Sequence, residues 1–178
     1  PQKSDIRPTS EKVRMAAFDI LRDIKDMVFL DLFSGSGAMA IEAISRGARK
    51  AYSVENNPEH IMIIRQNIQT LEIESKVQVF PIASGTFLKK KSELLSSVNV
   101  IFLYPPYQYH DFPKVMKLVF EMYKKQKFEQ LQKIVLETAV NSKIRIEDFP
   151  EIESMKKYGD TRLFIWDKNK LEKSTLDL

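Results

Sequence analysis

At 178 residues the chain has the length of one domain, enough to bury roughly two-thirds of its unfolded surface without cross-links. It contains no cysteine, which excludes disulfides and thiolate metal sites and makes a reducing cytoplasm the expected compartment. A net charge of +4 favours a polyanionic partner without identifying one, no apolar run approaches the ~20 residues that span a bilayer, and no signal peptide opens the chain.

Pro1 to Pro8 reads as an extended lead-in. Thr9 or Ser10 can cap a helix with Glu11 in its first turn and Val13, Ala17, Ile20 and Ile24 on one apolar face. Arg7, Lys12 and Arg14 fall around its start; on residue pattern alone they are ordinary surface cations. The apolar run Met27 to Leu32 then passes through the small-residue turn Ser34-Gly35-Ser36-Gly37 into a segment with helical spacing at Met39, Ala43 and Ile44. The pattern is strand, tight loop, helix. Gly35 and Gly37 allow positive φ and a close ligand, and the N–H groups opening the helix point outward at the positive end of its dipole. Ala40 stands where a G-x-G-x-x-G turn needs its last glycine, so the spacing argues against a dinucleotide.

Gly47 closes this helix, and a second strand ends at Glu55, with Asn56 beside it. A carboxylate there can accept both hydroxyls of a ribose; the plainer alternative is a solvated strand end. Asn57-Pro58 is a cap followed by proline at the first helical position, opening a helix to about Leu71 with Ile61, Ile64, Ile68 and Leu71 as its buried stripe. Val77 to Phe80 alternates as a third strand, followed by Pro81-Ile82-Ala83-Ser84 without a carboxylate. Phe87-Leu88 and Leu94-Leu95 fit a helix interrupted by Lys89-Lys90-Lys91.

Val98 to Leu103 reads as a strand buried on both faces, which delivers Tyr104-Pro105-Pro106-Tyr107 to the carboxyl edge, where open α/β sheets bind ligands. Asp111 to Gln132 holds one or two helices, with Val115, Leu118, Val119 and Met122 apolar and several lysines facing elsewhere. Ile134 to Leu136 is a fifth buried strand, and Glu137 is read as capping its edge. Ser154 to Tyr158 and Thr161 to Trp166 form an antiparallel pair joined at Gly159-Asp160; Lys168 to Leu178 is a polar tail expected to fray. His60 and His110 lack partners at ligand spacing, so no metal site is expected. A single domain over residues 1–178 is expected, of α/β class: three layers around a mostly parallel sheet with one antiparallel edge strand.

Asp31-Leu32-Phe33-Ser34-Gly35-Ser36-Gly37, with Glu42-Ala43-Ile44-Ser45-Arg46-Gly47-Ala48 after it, resembles the first motif of S-adenosylmethionine-dependent methyltransferases. More narrowly, the chain is similar to the bacterial family that methylates guanine N2 in 16S ribosomal RNA, the RsmD-like, conserved hypothetical 95 type. Arg7-Pro8-Thr9 through Val13-Arg14, Pro105-Pro106-Tyr107 and Tyr158-Gly159-Asp160-Thr161 fit that family in the same order. The resemblance implies the Rossmann-like seven-stranded methyltransferase fold, with S-adenosyl-L-methionine as cofactor. It implies methyl transfer to the exocyclic N2 amine of a guanine in 16S rRNA or the small ribosomal subunit, by a cytoplasmic monomer without membrane or metal.

On this resemblance Phe33, Ser34, Gly35, Ser36 and Gly37 cradle the methionine part, Asp31 orients its ammonium, and Glu55 with Asn56 takes the ribose. Relatives carry an acid or amide after the third strand to accept the adenine amine; here Ala83 and Ser84 occupy that place, leaving Ser84 or backbone carbonyls to substitute. Arg7, Thr9, Lys12 and Arg14 line the RNA side of the cleft. Relatives carry Asp-Pro-Pro-Tyr or Asn-Pro-Pro-Tyr where this chain has Tyr104-Pro105-Pro106-Tyr107. Pro105 offers a carbonyl to the target amine, Pro106 fixes the turn, and Tyr107 stacks on the base. Tyr104 replaces the acid with a poorer acceptor. Two alternatives stand beside this reading: a catalytically silent member that binds cofactor or RNA, and an adenine-amino DNA or RNA methyltransferase.

Overall fold

The computed structural model describes residues 10–106, 112–142, 144, 147, 149–152 and 154–169. Helix α1 (Glu11–Leu21) is capped by Ser10, whose side-chain oxygen accepts from the Val13 N–H at 3.3 Å. That bond satisfies one of the donors a helix start leaves without an internal partner. In chain order follow β1 (Val28–Asp31), α2 (Ala38–Ser45), β2 (Lys50–Val54), α3 (Pro58–Thr70), β3 (Val77–Phe80), α4 (Ser84–Lys90), α5 (Ser92–Leu95), β4 (Val100–Leu103), α6 (Phe112–Lys124), β5 (Lys133–Ala139), β6 (Ser154–Tyr158) and β7 (Thr161–Asp167).

The seven strands lie in the order β3-β2-β1-β4-β5-β7-β6. Strands β1 to β5 pair in parallel, whereas β7 runs antiparallel to both neighbours. The reversed strand of the edge hairpin therefore lies one place in from the rim. Composition explains the placement. Leu163 to Trp166 of β7 are all buried, while β6 exposes Met155, Lys156 and Lys157. The apolar strand takes the covered position and the lysine-bearing one blunts the open edge.

Pleating sends alternate residues to opposite faces. Leu30, Leu32, Ile101, Leu103, Ile134 and Leu136 join the core beneath α4 to α6, while Phe29, Val100, Phe102, Val135 and Leu163 join the core beneath α1 to α3. On the second face Phe18, Phe29 and Phe102 form a column, with centroids 5.9 and 6.5 Å apart. Lys133, at the start of β5, donates through Nζ to the carbonyls of Ile20 (3.1 Å) and Leu21 (3.2 Å). It thereby pins the last turn of α1 to the amino edge of the sheet. Eleven residues of helix rise roughly 16 Å, so the first turn of α1 lies toward the carboxyl edge.

Several expectations are corrected. Leu71 is 52% exposed: α3 ends at Thr70, and its buried stripe is Ile61, Ile64 and Ile68. Ile24 is buried, but beyond α1, which stops where Arg22 takes φ +61. Asp111–Gln132, read as one or two helices, holds one among the described residues, α6, in keeping with that reading. Glu137 does not cap a solvent edge; it is 1% exposed inside β5. Its strand is flanked by β4 and β7, so both lateral approaches of water are closed.

Candidate functional site

The carboxyl end of β1 is strapped by backbone to both of its neighbours, β4 and β2. The Leu32 N–H donates to the Phe102 carbonyl at 3.1 Å, and the Ser34 N–H to the Val54 carbonyl at 3.1 Å. Just beyond Ser34 the chain turns through Gly35 at φ +51 and Gly37 at φ +81. The two glycines serve different needs. A Cβ on Gly37 would lie 3.2 Å from the Ile64 side chain, so Gly37 is a packing requirement of α3. A Cβ on Gly35 would meet no protein atom within 4 Å, leaving a cradle open in front of the turn. Ser36 is fixed from behind, its carbonyl accepting from Asn67 Nδ2 at 3.1 Å.

Glu55 closes this cradle. Its Oε2 accepts from the Gly35 N–H at 2.8 Å, and its Oε1 from the Asn56 and Asn57 N–H groups, both at 2.9 Å. Three of a carboxylate's roughly four acceptor positions are thus committed to backbone, and about one remains for a ligand hydroxyl. The plainer reading of a solvated strand end is not what the structure holds. His60 Nδ1 lies 3.6 Å from Glu55 Oε2, on the first turns of α3. Asn57 caps that helix, accepting from the Glu59 N–H at 2.9 Å, with Pro58 at its first position.

Asp31 ends β1 at 1% exposure and accepts from the Phe33 N–H at 3.3 Å. Burial pushes its carboxyl up to about 7, opposed by hydrogen bonds from Phe33 and Ser34 and reinforced by the negative charges of Glu55 and Glu137. A buried carboxylate among others is an incomplete site: a cation placed beside Asp31 would return it to the ionised form. Among the described residues no group of three His, Asp or Glu side chains is arranged to hold a metal ion.

Beyond β3, Ala83 precedes α4, and the Ser84 hydroxyl donates to the Leu32 carbonyl. Ser84 is buried and spends its hydrogen tying α4 to the end of β1. Its hydrogen is committed there, while the hydroxyl oxygen keeps its capacity to accept. Phe33 is partly exposed and tilts against Phe112 at 6.4 Å. At the end of β4, Tyr104 is partly buried against the α1 to α3 core, Pro105 is buried and Pro106 is exposed. Lys12 is exposed on the first turn of α1, and Arg14 lies 3.5 Å from Glu42 of α2, which also holds Arg46 at 2.7 Å. The expectations for Arg7, Thr9, Tyr107 and His110 fall outside the described residues.

The structure therefore gathers Asp31, the glycine turn, Glu55 and Tyr104-Pro105-Pro106 at one sheet edge. Residue reasoning missed His60 and Asn67 and misplaced Glu137. Strand alternation carried the signal for Glu137, which stands two residues after buried Val135.

A mostly parallel seven-stranded sheet in this order, with a glycine turn after its first strand and an acid closing its second, defines the Rossmann-like methyltransferase fold. Residues 1–167 match the family model described as Conserved hypothetical protein 95, and the chain belongs to that family. The Ribosomal RNA small subunit methyltransferase D of Buchnera aphidicola subsp. Acyrthosiphon pisum is 34% identical over 104 residues, covering 58% of this chain and 53% of the relative. Its namesake in Escherichia coli (strain K12) is 32% identical over 109 residues, covering 61% and 53%. The aligned regions thus span about half the length of these curated relatives. The solved RNA methyltransferase of Salinibacter ruber, in complex with S-adenosyl-L-homocysteine, superposes with a TM-score of 0.62 at 18% identity, covering 90% of this chain and 92% of its own.

Proposed function

We propose that this chain transfers a methyl group from S-adenosylmethionine to the exocyclic N2 amine of a guanine in 16S ribosomal RNA. The observation that carries the reading is the Gly35–Glu55 bond beside buried Asp31, on the same sheet edge as Tyr104-Pro105-Pro106. The residues fit the cofactor: the cradle before Gly35 has room for a bulky group, and the raised carboxyl of Asp31 answers an ammonium. Glu55 has one acceptor position left for a ribose hydroxyl. S-adenosylmethionine supplies a methyl on a sulfonium that is already a strong electrophile: the amine gains the N–C bond, sulfur keeps the electron pair of the broken S–C bond, and nitrogen sheds one proton.

The chain's share is positioning. Asp31 pairs with the ammonium, Glu55 holds both the glycine turn and the ribose, and the carbonyl of Pro105 accepts from the target amine. Tyr107 stacks on the base, while Arg7, Thr9, Lys12 and Arg14 face the RNA; of these only Lys12 and Arg14 are among the described residues, and Arg14 also answers Glu42. The names of the curated relatives support rRNA of the small subunit as substrate. Adenine is read without a side-chain acid, by the Ser84 oxygen or by backbone carbonyls, since Ser84 commits only its hydrogen to Leu32.

Tyr104 favours a second reading, a silent member of the family that binds cofactor or RNA only. Tritiated methyl incorporation into unmethylated small subunits, with mass spectrometry of the digested nucleosides, separates the two. The proposed activity yields labelled N2-methylguanosine with wild-type protein. No label with wild type, but label with Tyr104→Asp, marks the silent member; label in duplex DNA alone overturns the substrate.

A further inference from the structure

One buried carboxylate has no part in the reading above. Glu137 is 1% exposed in β5, and a charge taken that far from water is expensive to keep unless its surroundings use it. Its address is specific. In the β4–β5 ladder Leu103 lies opposite Leu136, so the next position on each chain is Tyr104 and Glu137. Pleating puts Glu137 on the face of Val135, two residues before it, and Val135 belongs to the core against which Tyr104 packs. Asp31, two residues after Phe29, points to that same face, and its carboxyl responds to the charge of Glu137. Asp31 in β1 and Glu137 in β5 therefore flank Tyr104, the residue that directly follows β4, on one face and at one edge.

We propose that Glu137 supplies the carboxylate that position 104 lacks, acting through the phenol: its oxygen accepts the Tyr104 hydroxyl hydrogen, which turns the phenol's lone pairs toward the target amine. Opposed residues on one face of paired strands are within side-chain reach. A phenol that donates to a carboxylate is also the better acceptor, because hydrogen bonds in a chain polarise one another. Glu137 is a positioning residue here; Tyr104 is the group that meets the substrate. The inference rests on the methyl-transfer reading of the site.

The test is a double-mutant comparison under single turnover, with small subunits and saturating S-adenosylmethionine. Glu137→Gln slows methyl transfer by ~30-fold or more at unchanged KM, Glu137→Asp restores part of the rate, and in a Tyr104→Asp background Glu137→Gln changes the rate by less than about threefold. A structural role would lower the rate equally in both backgrounds. A second readout needs no turnover. In protein carrying 13Cζ-tyrosine, with the Tyr104 signal assigned by Tyr104→Phe, Glu137→Gln shifts that signal while calorimetric S-adenosylhomocysteine affinity holds within about twofold. Equal losses in both backgrounds, a stationary Tyr104 signal, or an inactive wild type each overturn the inference. Active wild type with indifferent Glu137→Gln leaves the methyl-transfer reading standing; absence of cofactor binding removes that reading itself.

Discussion

The two halves of the carboxyl edge are built on different principles. At the ends of β1 and β2 the site is wired by backbone: Glu55 takes three N–H groups, Asn67 takes the Ser36 carbonyl, and Ser84 takes the Leu32 carbonyl. At the ends of β4 and β5 it depends on which side chains the pleat happens to present, Tyr104 and Glu137. A half fixed by main-chain geometry tolerates little change in its turn residues. Substitutions should therefore act on folding and cofactor affinity in the first half and on rate in the second.

The largest effect expected is at Asp31. Asp31→Asn removes the charge that answers the ammonium, and S-adenosylmethionine affinity by calorimetry should fall ~100-fold, the scale of a lost charged hydrogen bond at a buried site. The same change stabilises the ligand-free protein. A carboxyl at about 7 in the folded state and 3.8 in the unfolded state holds its proton longer when folded, so its contribution is full below pH 4 and is lost as pH rises through 7. The melting temperature of Asp31→Asn should accordingly exceed wild type most at pH 8 and least at pH 4.

Gly37→Ala follows, combining a positive φ with a 3.2 Å approach to Ile64. It should cost about 2 kcal/mol in urea denaturation, and much less cofactor affinity among the molecules that remain folded. Ser84→Ala should cost about 1 kcal/mol of stability by freeing the Leu32 carbonyl, with cofactor affinity within about twofold of wild type if backbone carbonyls read the adenine. If affinity falls tenfold instead, the Ser84 oxygen reads it. Least of all, Leu71→Gln should change stability by less than ~0.5 kcal/mol, since that side chain is 52% exposed.

Much of this edge was legible without coordinates. Gly35, Gly37 and Asn57-Pro58 announce themselves because few residue types satisfy a positive φ or a helix start, and the structure puts each to that use. The strands and the edge hairpin followed from apolar runs and from Gly159-Asp160, while their order in the sheet came from the family resemblance alone. What stayed hidden was long-range bonding. Nothing local tells that Ser84 would reach Leu32, that Glu55 would hold Gly35, or that Asn67 would reach Ser36, since these pairs stand 52, 20 and 31 residues apart. Glu137 was misplaced for a related reason: read alone it follows a strand, and only the flanking β7 makes its position interior. Leu71 shows the converse error, a buried stripe carried one residue past the helix end onto an exposed cap.

The most direct test of the pocket is calorimetric titration with S-adenosylmethionine in buffers of different ionisation heat. With the Asp31 carboxyl raised to about 7, binding at pH 6 should release a large part of a proton as the carboxyl ionises against the ammonium, and Asp31→Asn should abolish that release. Binding heats independent of the buffer at pH 6, or tight binding that survives Asp31→Asn, would contradict it.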